Sequence, residues 1–274
     1  MSYDTDKPII LRHLKYLAQR VTSKLSVVEN SLLTLNSRTN VLTAPNHAYH
    51  NSIAGFRNKG TVVTDEQKTA ITSQTYDDLY IGDNWTINGH KYFIAKFARI
   101  YSDSGAGNGI MMISNVLYDA QMNETNTNEG GYYNSWMYSA GLEQAGEILA
   151  TDWGDLLANF KEYIPNTNES GFLKSTAQTM PFKCMLPTHM MLYGKPYTPY
   201  PQEYYSYHSN KQLPVTLFEG YNTITQGGSN YWLQECFNDT TGFICFNSAG
   251  IDAKSTSLFP ASKTHGVRVV FFIR

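Results

Sequence analysis

Residues 264–274 read THGVRVVFFIR, the most strand-like stretch of the chain and also its last. Val267, Val269, Val270, Phe271, Phe272 and Ile273 are β-branched or aromatic, the types that fit a pleated, buried surface. A terminal segment frays when few contacts offset the entropy of ordering it. An end this apolar is therefore expected inside a sheet, as a closing strand that completes the core.

Working outward, other segments carry β signals. In LYIGDNWTINGHKYFIAKFARIY (79–101), Trp85 and Ile87 alternate with polar residues before Asn88-Gly89, and β-rich sequence resumes after it. Asn-Gly supplies the positive φ angles of a type I′ turn, so the stretch predicts a hairpin. An apolar run follows at Ile110–Val116, and SGAGNG (104–109) before it reads as a loop. In residues 135–164 apolar positions recur at helical spacing, which predicts two helices broken near Ala150–Asp152. Short β-like runs and long polar loops fill 165–274, and the fold class that results is α+β.

The N-terminal region has a different period. Leu11, Leu14, Ala18, Val21, Leu25, Val28, Leu32 and Leu35 follow one another at alternating spacings of three and four, an a/d heptad seam. Lys24 at g and Glu29 at the following e position can bridge two parallel helices. Residues 1–44 are thus expected to form a helical coiled-coil segment for oligomerisation and attachment, though the seam does not decide between two, three or four strands. Residues 45–76, opened by Pro45, read as a connector with a short strand at Thr61–Thr64, and 77–274 as the main domain.

Composition narrows the function classes. The 274 residues carry a net charge of −2, so no polybasic footprint for nucleic acid or an anionic membrane is present. Charged residues make up 16% and aromatics 14%, with 20 Tyr, a balance suited to a β-rich protein with a polar binding surface. No apolar run reaches the roughly 18 residues that cross a bilayer, and no signal-peptide pattern opens the chain, so neither export nor membrane insertion is expected. Phosphate-cradling glycine loops, H-E-x-x-H and G-x-S-x-G are all missing. His47 and His50 alone make a poor ligand set, and four N-x-[S/T] sequons, at Asn84, Asn123, Asn168 and Asn238, are discounted in so Asn-rich a chain. Cys184, Cys236 and Cys245 lack zinc spacing and read as buried thiols. No catalytic residue, metal or cofactor is expected, and the chain does not read as an enzyme.

The segment KPYTPYPQEYYSYHSN (195–210) stands out. Tyr197, Tyr200, Tyr204, Tyr205 and Tyr207 are interleaved with Pro, Gln, Ser and His208. Tyr offers a large amphipathic contact area at low rotamer cost, and Pro lowers the ordering cost of a loop. These side chains either form an adaptable binding loop, able to stack on sugar rings, or pack the loop onto its own domain.

YIGDNWTINGHKYFIA (80–95), VLYDAQMNETNTNEGGYYNSWMYSAGL (116–142), LPTHMMLYG (186–194), KQLPVTLF (211–218), YWLQECF (231–237) and GVRVVFFI (266–273) occur in that order. The ordered set resembles a lectin-like domain of phage virion proteins, a variant of the C-type-lectin-like fold. That fold is related to formylglycine-generating enzymes and to receptor-binding proteins that phages diversify by retroelements. The resemblance implies a twisted antiparallel sheet with two helices and long loops. It also implies that the last strand lies beside the first, near Ile81–Ile87. Two departures stand in the motifs: Gln234 where relatives often have Arg in Trp-Leu-Arg, and Val269 where they have Pro in Gly-Val-Arg-Pro.

By this resemblance the chain is a phage tail or tail-fibre receptor-binding protein, located in the virion and assembled in the host cytoplasm. A homotrimer is expected, because a three-fold spike gains avidity from weak sites. Its partners would be a host-surface glycan or protein receptor and other virion tail proteins. Receptor contacts are expected from the five tyrosines and His208, with Tyr221, Asn222, Asn230 and Asn247 flanking the YWLQECF motif. Such a site, built of rings and neutral hydrogen bonds, is expected to depend weakly on salt. Two alternatives stay open: a structural virion protein binding only its neighbours, and a formylglycine-generating type of enzyme. The latter needs a reactive cysteine pair, for which Cys236 and Cys245, flanking FNDTTGFI (237–244), are the candidates.

Overall fold

The computed structural model describes residues 21–22, 24–25, 57–162, 164, 178–193, 230–236, 242–246 and 256–274. The chain divides into two compact units, 1–42 and 43–274. In the first, Val21, Thr22, Lys24 and Leu25 are helical, with Val21 and Leu25 exposed; Leu11, Leu14, Val28, Leu32 and Leu35 lie outside the described residues.

The second unit is mixed α+β. A helix α1 (Asp65–Thr72) precedes strands β1 (Asn84–Ile87), β2 (His90–Ser102), β3 (Gly105–Ser114) and β4 (Tyr118–Gln121). A π-helical turn (Met137–Gly141) leads into α2 (Glu143–Trp153), followed by the short strands β5 (Lys161–Glu162), β6 (Gln178–Thr179) and β7 (Cys184–Met185) and the helix α3 (His189–Tyr193). Then come β8 (Tyr231–Cys236), β9 (Gly242–Phe246), β10 (Thr256–Pro260), β11 (Thr264–Val267) and β12 (Val270–Ile273). One sheet has the order β1-β2-β3-β12-β7, a second β10-β9-β8-β11-β4, and β5 pairs with β6.

The terminal stretch is two strands in two sheets. β11 pairs antiparallel with β4, whereas β12 pairs antiparallel with β3 and β7. Because β3 runs into β4 as β11 runs into β12, the two segments form one ribbon that leaves the first sheet and enters the second. Ser114 pins the crossing: its N–H donates to Val269 O at 3.0 Å, its Oγ accepts from Val269 N at 3.0 Å, and its carbonyl accepts from Arg268 Nε at 2.7 Å. The Arg268 side chain is buried with its guanidinium over the Tyr231 ring, and burial lowers its pKa.

The expected pairing of the last strand with the first is therefore corrected, since β2 and β3 separate β12 from β1. All four residues of β12 are buried, and such a segment is satisfied only where both its faces and both its edges are covered. Phe271 meets Tyr92 and Trp153 on one face, with ring centroids 5.6 and 5.7 Å away, and Phe272 meets Phe160 at 4.7 Å on the other. Residues 156–158 add a further edge: Arg274 N donates to Leu156 O and Ala158 N to Phe272 O. The expectation of a purely antiparallel sheet is also amended, because β11 meets β8 in parallel at Gly266 and Tyr231.

The Asn88-Gly89 hairpin is present, with φ of 49° and 85° at the turn and Ile87 paired with His90. Its tip is clamped to the end of α2 through the Asp152 carboxylate. That group accepts from Asn88 Nδ2 at 2.7 Å and Tyr92 Oη at 2.5 Å, and lies 3.0 Å from His90 Nδ1. SGAGNG, in contrast, is mostly strand: only Asp103 and Ser104 turn, and residues 105–109 belong to β3. The helical break expected near Ala150–Asp152 falls instead at Gly154, φ 53°, and what precedes α2 is the π-helical turn.

Residues 57–76, read from sequence as connector, are built into this unit. The short strand expected at Thr61–Thr64 does not form; Thr64 instead caps α1, in a capping box with Gln67, whose side chain also accepts from Trp85 Nε1 at 2.9 Å. Residues 57–60 run beside β1, and Arg57 forms ion pairs with buried Asp83 and with Asp78. The carboxylates raise the Arg57 pKa further above its ordinary value, with Asp83 the larger cause.

Candidate functional site

An open groove of about 490 Å³ lies between the edge strand β4 and the helical segment that follows it. Tyr118, Asp119 and Gln121 form one wall, Trp136 and the exposed side of α2 the other, and Thr264 of β11 closes one end. β4 borders the groove because, among the described strands, it pairs with β11 alone.

The far wall owes its shape to the π-helical turn. Leu142 N donates to Met137 O at 3.0 Å, a ring one residue wider than in an α-helix, and such single turns cluster at functional sites. The turn is tied to β4 from both ends. Trp136 N donates to Asn123 Oδ1 at 2.7 Å and Met137 N to Met122 O at 3.0 Å, while Tyr118 Oη donates to Gly141 O at 2.6 Å. Gly141 is needed for the fit, since a Cβ there would stand 2.7 Å from the Trp136 ring. The indole therefore rests on bare backbone and is held at the groove in one place. Burial, and secondarily the nearby Cys184 thiol, push the Tyr118 phenol well above its ordinary pKa, so it stays a hydrogen-bond donor.

Around this ring stand Asp119, Glu143 and Glu147, with the amides of Gln121 and Gln144 and the Thr264 hydroxyl. An aromatic face beside planar hydrogen-bonding groups can hold a ring-shaped, hydroxylated ligand by stacking and by directional bonds. A second depression of about 640 Å³, beside α1, is lined by Lys59, Asp65, Glu66, Asp77 and Asp78 among others and contains no aromatic residue. The groove is therefore the stronger candidate.

The YWLQECF motif builds a different feature. Gln234 and Glu235 are buried on β8; Gln234 Nε2 donates to Leu186 O at 2.6 Å and Glu235 Oε1 accepts from His189 N at 2.7 Å. Among the described residues, Gln234 Oε1 and Glu235 Oε2 have no hydrogen-bond partner. Burial pushes the Glu235 carboxyl up to about 8, so it is largely uncharged at neutral pH.

Of the residues expected to bind a receptor, Asn230 lies at the start of β8, half-buried, with its carbonyl accepting from Gly266 N at 2.9 Å. Tyr197, Tyr200, Tyr204, Tyr205, Tyr207, His208, Tyr221, Asn222 and Asn247 lie outside the described residues. The cysteine pairing is corrected. β8 and β9 do pair antiparallel, but Cys236 lies opposite Phe243 and Cys245 opposite Trp232, four residues before Cys236 on the partner strand. Cys184 and Cys236 are buried, and burial raises the pKa of Cys184. Among the described residues no cluster of three or more metal-ligating side chains occurs, and no helix is long and apolar enough to cross a membrane.

The groove residues carry no motif that marks them in the sequence, although all but Thr264 fall within the quoted stretch 116–142 and its continuation. The available signal was Trp136, a large aromatic ahead of an i, i+4 pair of glutamates on α2. Comparison of the chain with protein-family models, curated proteins and solved structures yields no match.

Proposed function

We propose that the chain is a phage tail or tail-fibre receptor-binding protein, carried in the virion, whose lectin-like head recognises a saccharide on the host surface. The observation that carries this reading is the groove beside β4, where a preorganised indole is ringed by carboxylate, amide and hydroxyl groups. A fixed ring costs little entropy to present, which suits it as the anchor of a weak site. Weak sites suffice when copies act together, and the exposed Val21 and Leu25 of the heptad seam support assembly, as a homotrimer, through a coiled coil.

The test is binding of the purified protein to whole cells of candidate hosts, with soluble cell-wall polysaccharide as competitor. Trp136→Ala should abolish binding while leaving the melting temperature and oligomer size unchanged. Tyr204→Ala combined with Tyr205→Ala asks the same of the tyrosine-rich segment. Should neither variant weaken a cell binding that polysaccharide competes away, the head uses another surface; should no host cell bind, the receptor reading fails. Light scattering on the full chain and on one starting at Asn46 checks assembly, and a monomeric full-length chain would refute the coiled coil.

A further inference from the structure

The groove beside β4 carries charge of one sign. Asp119, Glu143 and Glu147 line it, and among the described residues no Lys, Arg or His does, although the partly buried His265 ring on β11 is close enough to Asp119 to feel its charge. Among the described residues none of the three carboxylates forms an ion pair. Lys263 precedes Thr264 in sequence but is not part of the lining. Glu143 and Glu147 stand four apart on α2, the spacing at which side chains meet on a helix surface and like charges repel. Glu143 in the first turn of α2 suits the helix dipole, but the Glu143–Glu147 pair repels, and a cation among these groups would relieve that repulsion.

Trp136 narrows the choice. The face of an indole attracts a cation as well as the C–H face of a sugar ring. An anionic sugar would meet three carboxylates with no counter-charge. A neutral sugar would use the indole and could donate its hydroxyls to the carboxylates, but would leave their negative charge uncompensated. A simple ammonium on a flexible chain would use the carboxylates but make little use of the Gln121 and Gln144 amides or the Thr264 hydroxyl. One ligand class uses all of them.

We infer that the groove binds an amine-bearing saccharide, a hexosamine with a free amino group, its ring on Trp136 and its ammonium among Asp119, Glu143 and Glu147. This rests on the saccharide reading above and adds the charge of the ligand. It also distinguishes the groove from a site of tyrosines and neutral hydrogen bonds, because binding here weakens as salt screens the carboxylates.

Calorimetry on the full-length protein tests the assignment with three probes: glucosamine oligomers, the corresponding N-acetylglucosamine oligomers and polygalacturonate. The amino form should bind about tenfold more tightly than the acetylated form, the combined effect of a few exposed ion pairs, and the uronate should not bind. Glu143→Gln with Glu147→Gln should erase that preference without shifting the melting temperature, as should raising the salt to about 1 M, where the screening length is about 3 Å. Trp136→Ala should weaken both hexosamine oligomers. Equal binding of the amino and acetylated forms would overturn the charge assignment while leaving the saccharide reading intact. Oligolysine binding as tightly as glucosamine oligomers would also overturn it, in favour of a general cation surface. If no saccharide binds, the underlying reading falls with it.

Discussion

The strands β11 and β12 are both four residues long, lie within one eleven-residue stretch and belong to the same antiparallel ribbon, yet their surroundings are opposite. β12 is buried throughout, between β3 on one edge and β7 and residues 156–158 on the other. β11 starts exposed: Thr264 lines the groove, His265 is half-buried between the Trp232 and Phe259 rings, and only Gly266 and Val267 are fully enclosed. The same ribbon therefore seals the core at one end and opens a polar groove at the other. The difference lies in the next neighbour, because beyond β3 the sheet continues to β2, whereas beyond β4 no further strand pairs among the described residues. An edge strand leaves room for a ligand; a strand enclosed on both edges does not.

The largest test of this contrast is removal of residues 269–274. Full burial of side chains such as Val270, Phe271, Phe272 and Ile273 contributes roughly 1.5–3 kcal/mol each, a sum that rivals the roughly 5–15 kcal/mol holding a typical domain together. The shortened protein should lose its near-ultraviolet circular dichroism and its cooperative melt. A soluble protein with an unchanged melt would show that β12 is peripheral.

Phe271→Ala sharpens the same point within an intact chain. Its ring packs on Tyr92 and Trp153, so urea denaturation should register a loss of about 3–5 kcal/mol. A loss below 1 kcal/mol would mean that the first sheet tolerates a cavity at its centre.

The second sheet should respond to pH through Glu235 on β8. Its folded-state value of about 8 lies above the ordinary glutamate value of 4.5. The folded protein therefore holds a proton there that the unfolded chain has released, and the resulting stability is present in full below pH 4.5. It should decline by about 1 kcal/mol per pH unit as the pH rises from 4.5 toward 8, then level off. Denaturation midpoints across that range should show the decline, and Glu235→Gln should flatten it. An identical slope in the variant would assign the dependence to another group.

The smallest effect on stability should come from Thr264→Ala. An exposed position at the start of β11 should change the unfolding free energy by no more than about 0.5 kcal/mol, while ligand binding in the groove weakens. If Thr264→Ala destabilised the protein as much as Phe271→Ala, the two ends of the ribbon would not differ as described.

Several elements were legible because their signals are local. Asn88-Gly89 marked the β1–β2 turn, since the positive φ angles belong to those two residues whatever the surroundings. The apolar run 110–116 marked β3, although the glycines before it concealed that the strand starts at Gly105. A Gly-rich stretch reads as a loop when only propensity is weighed, and here pairing with β2 overrides it. The contacts of residues 57–76 were hidden for a related reason: scattered apolar positions do not reveal that Gln67 meets Trp85 or that Arg57 meets Asp83.

By itself the sequence determined that 264–274 is β structure and belongs to the core, because side-chain type governs what must be removed from water. It also determined the α+β class, the net charge of −2 and the heptad period of the N-terminal apolar residues. Only the tertiary structure decided that the stretch is two strands in two sheets, that β12 sits beside β3 rather than β1, and that Cys236 and Cys245 are not opposite one another. The groove is likewise a tertiary product, since it needs Trp136, Glu147 and Thr264 brought to one place from three elements. Hydrophobic burial is a property each residue carries with it. Strand order and register depend on which distant segments compete for the same edge, and no local pattern encodes that competition.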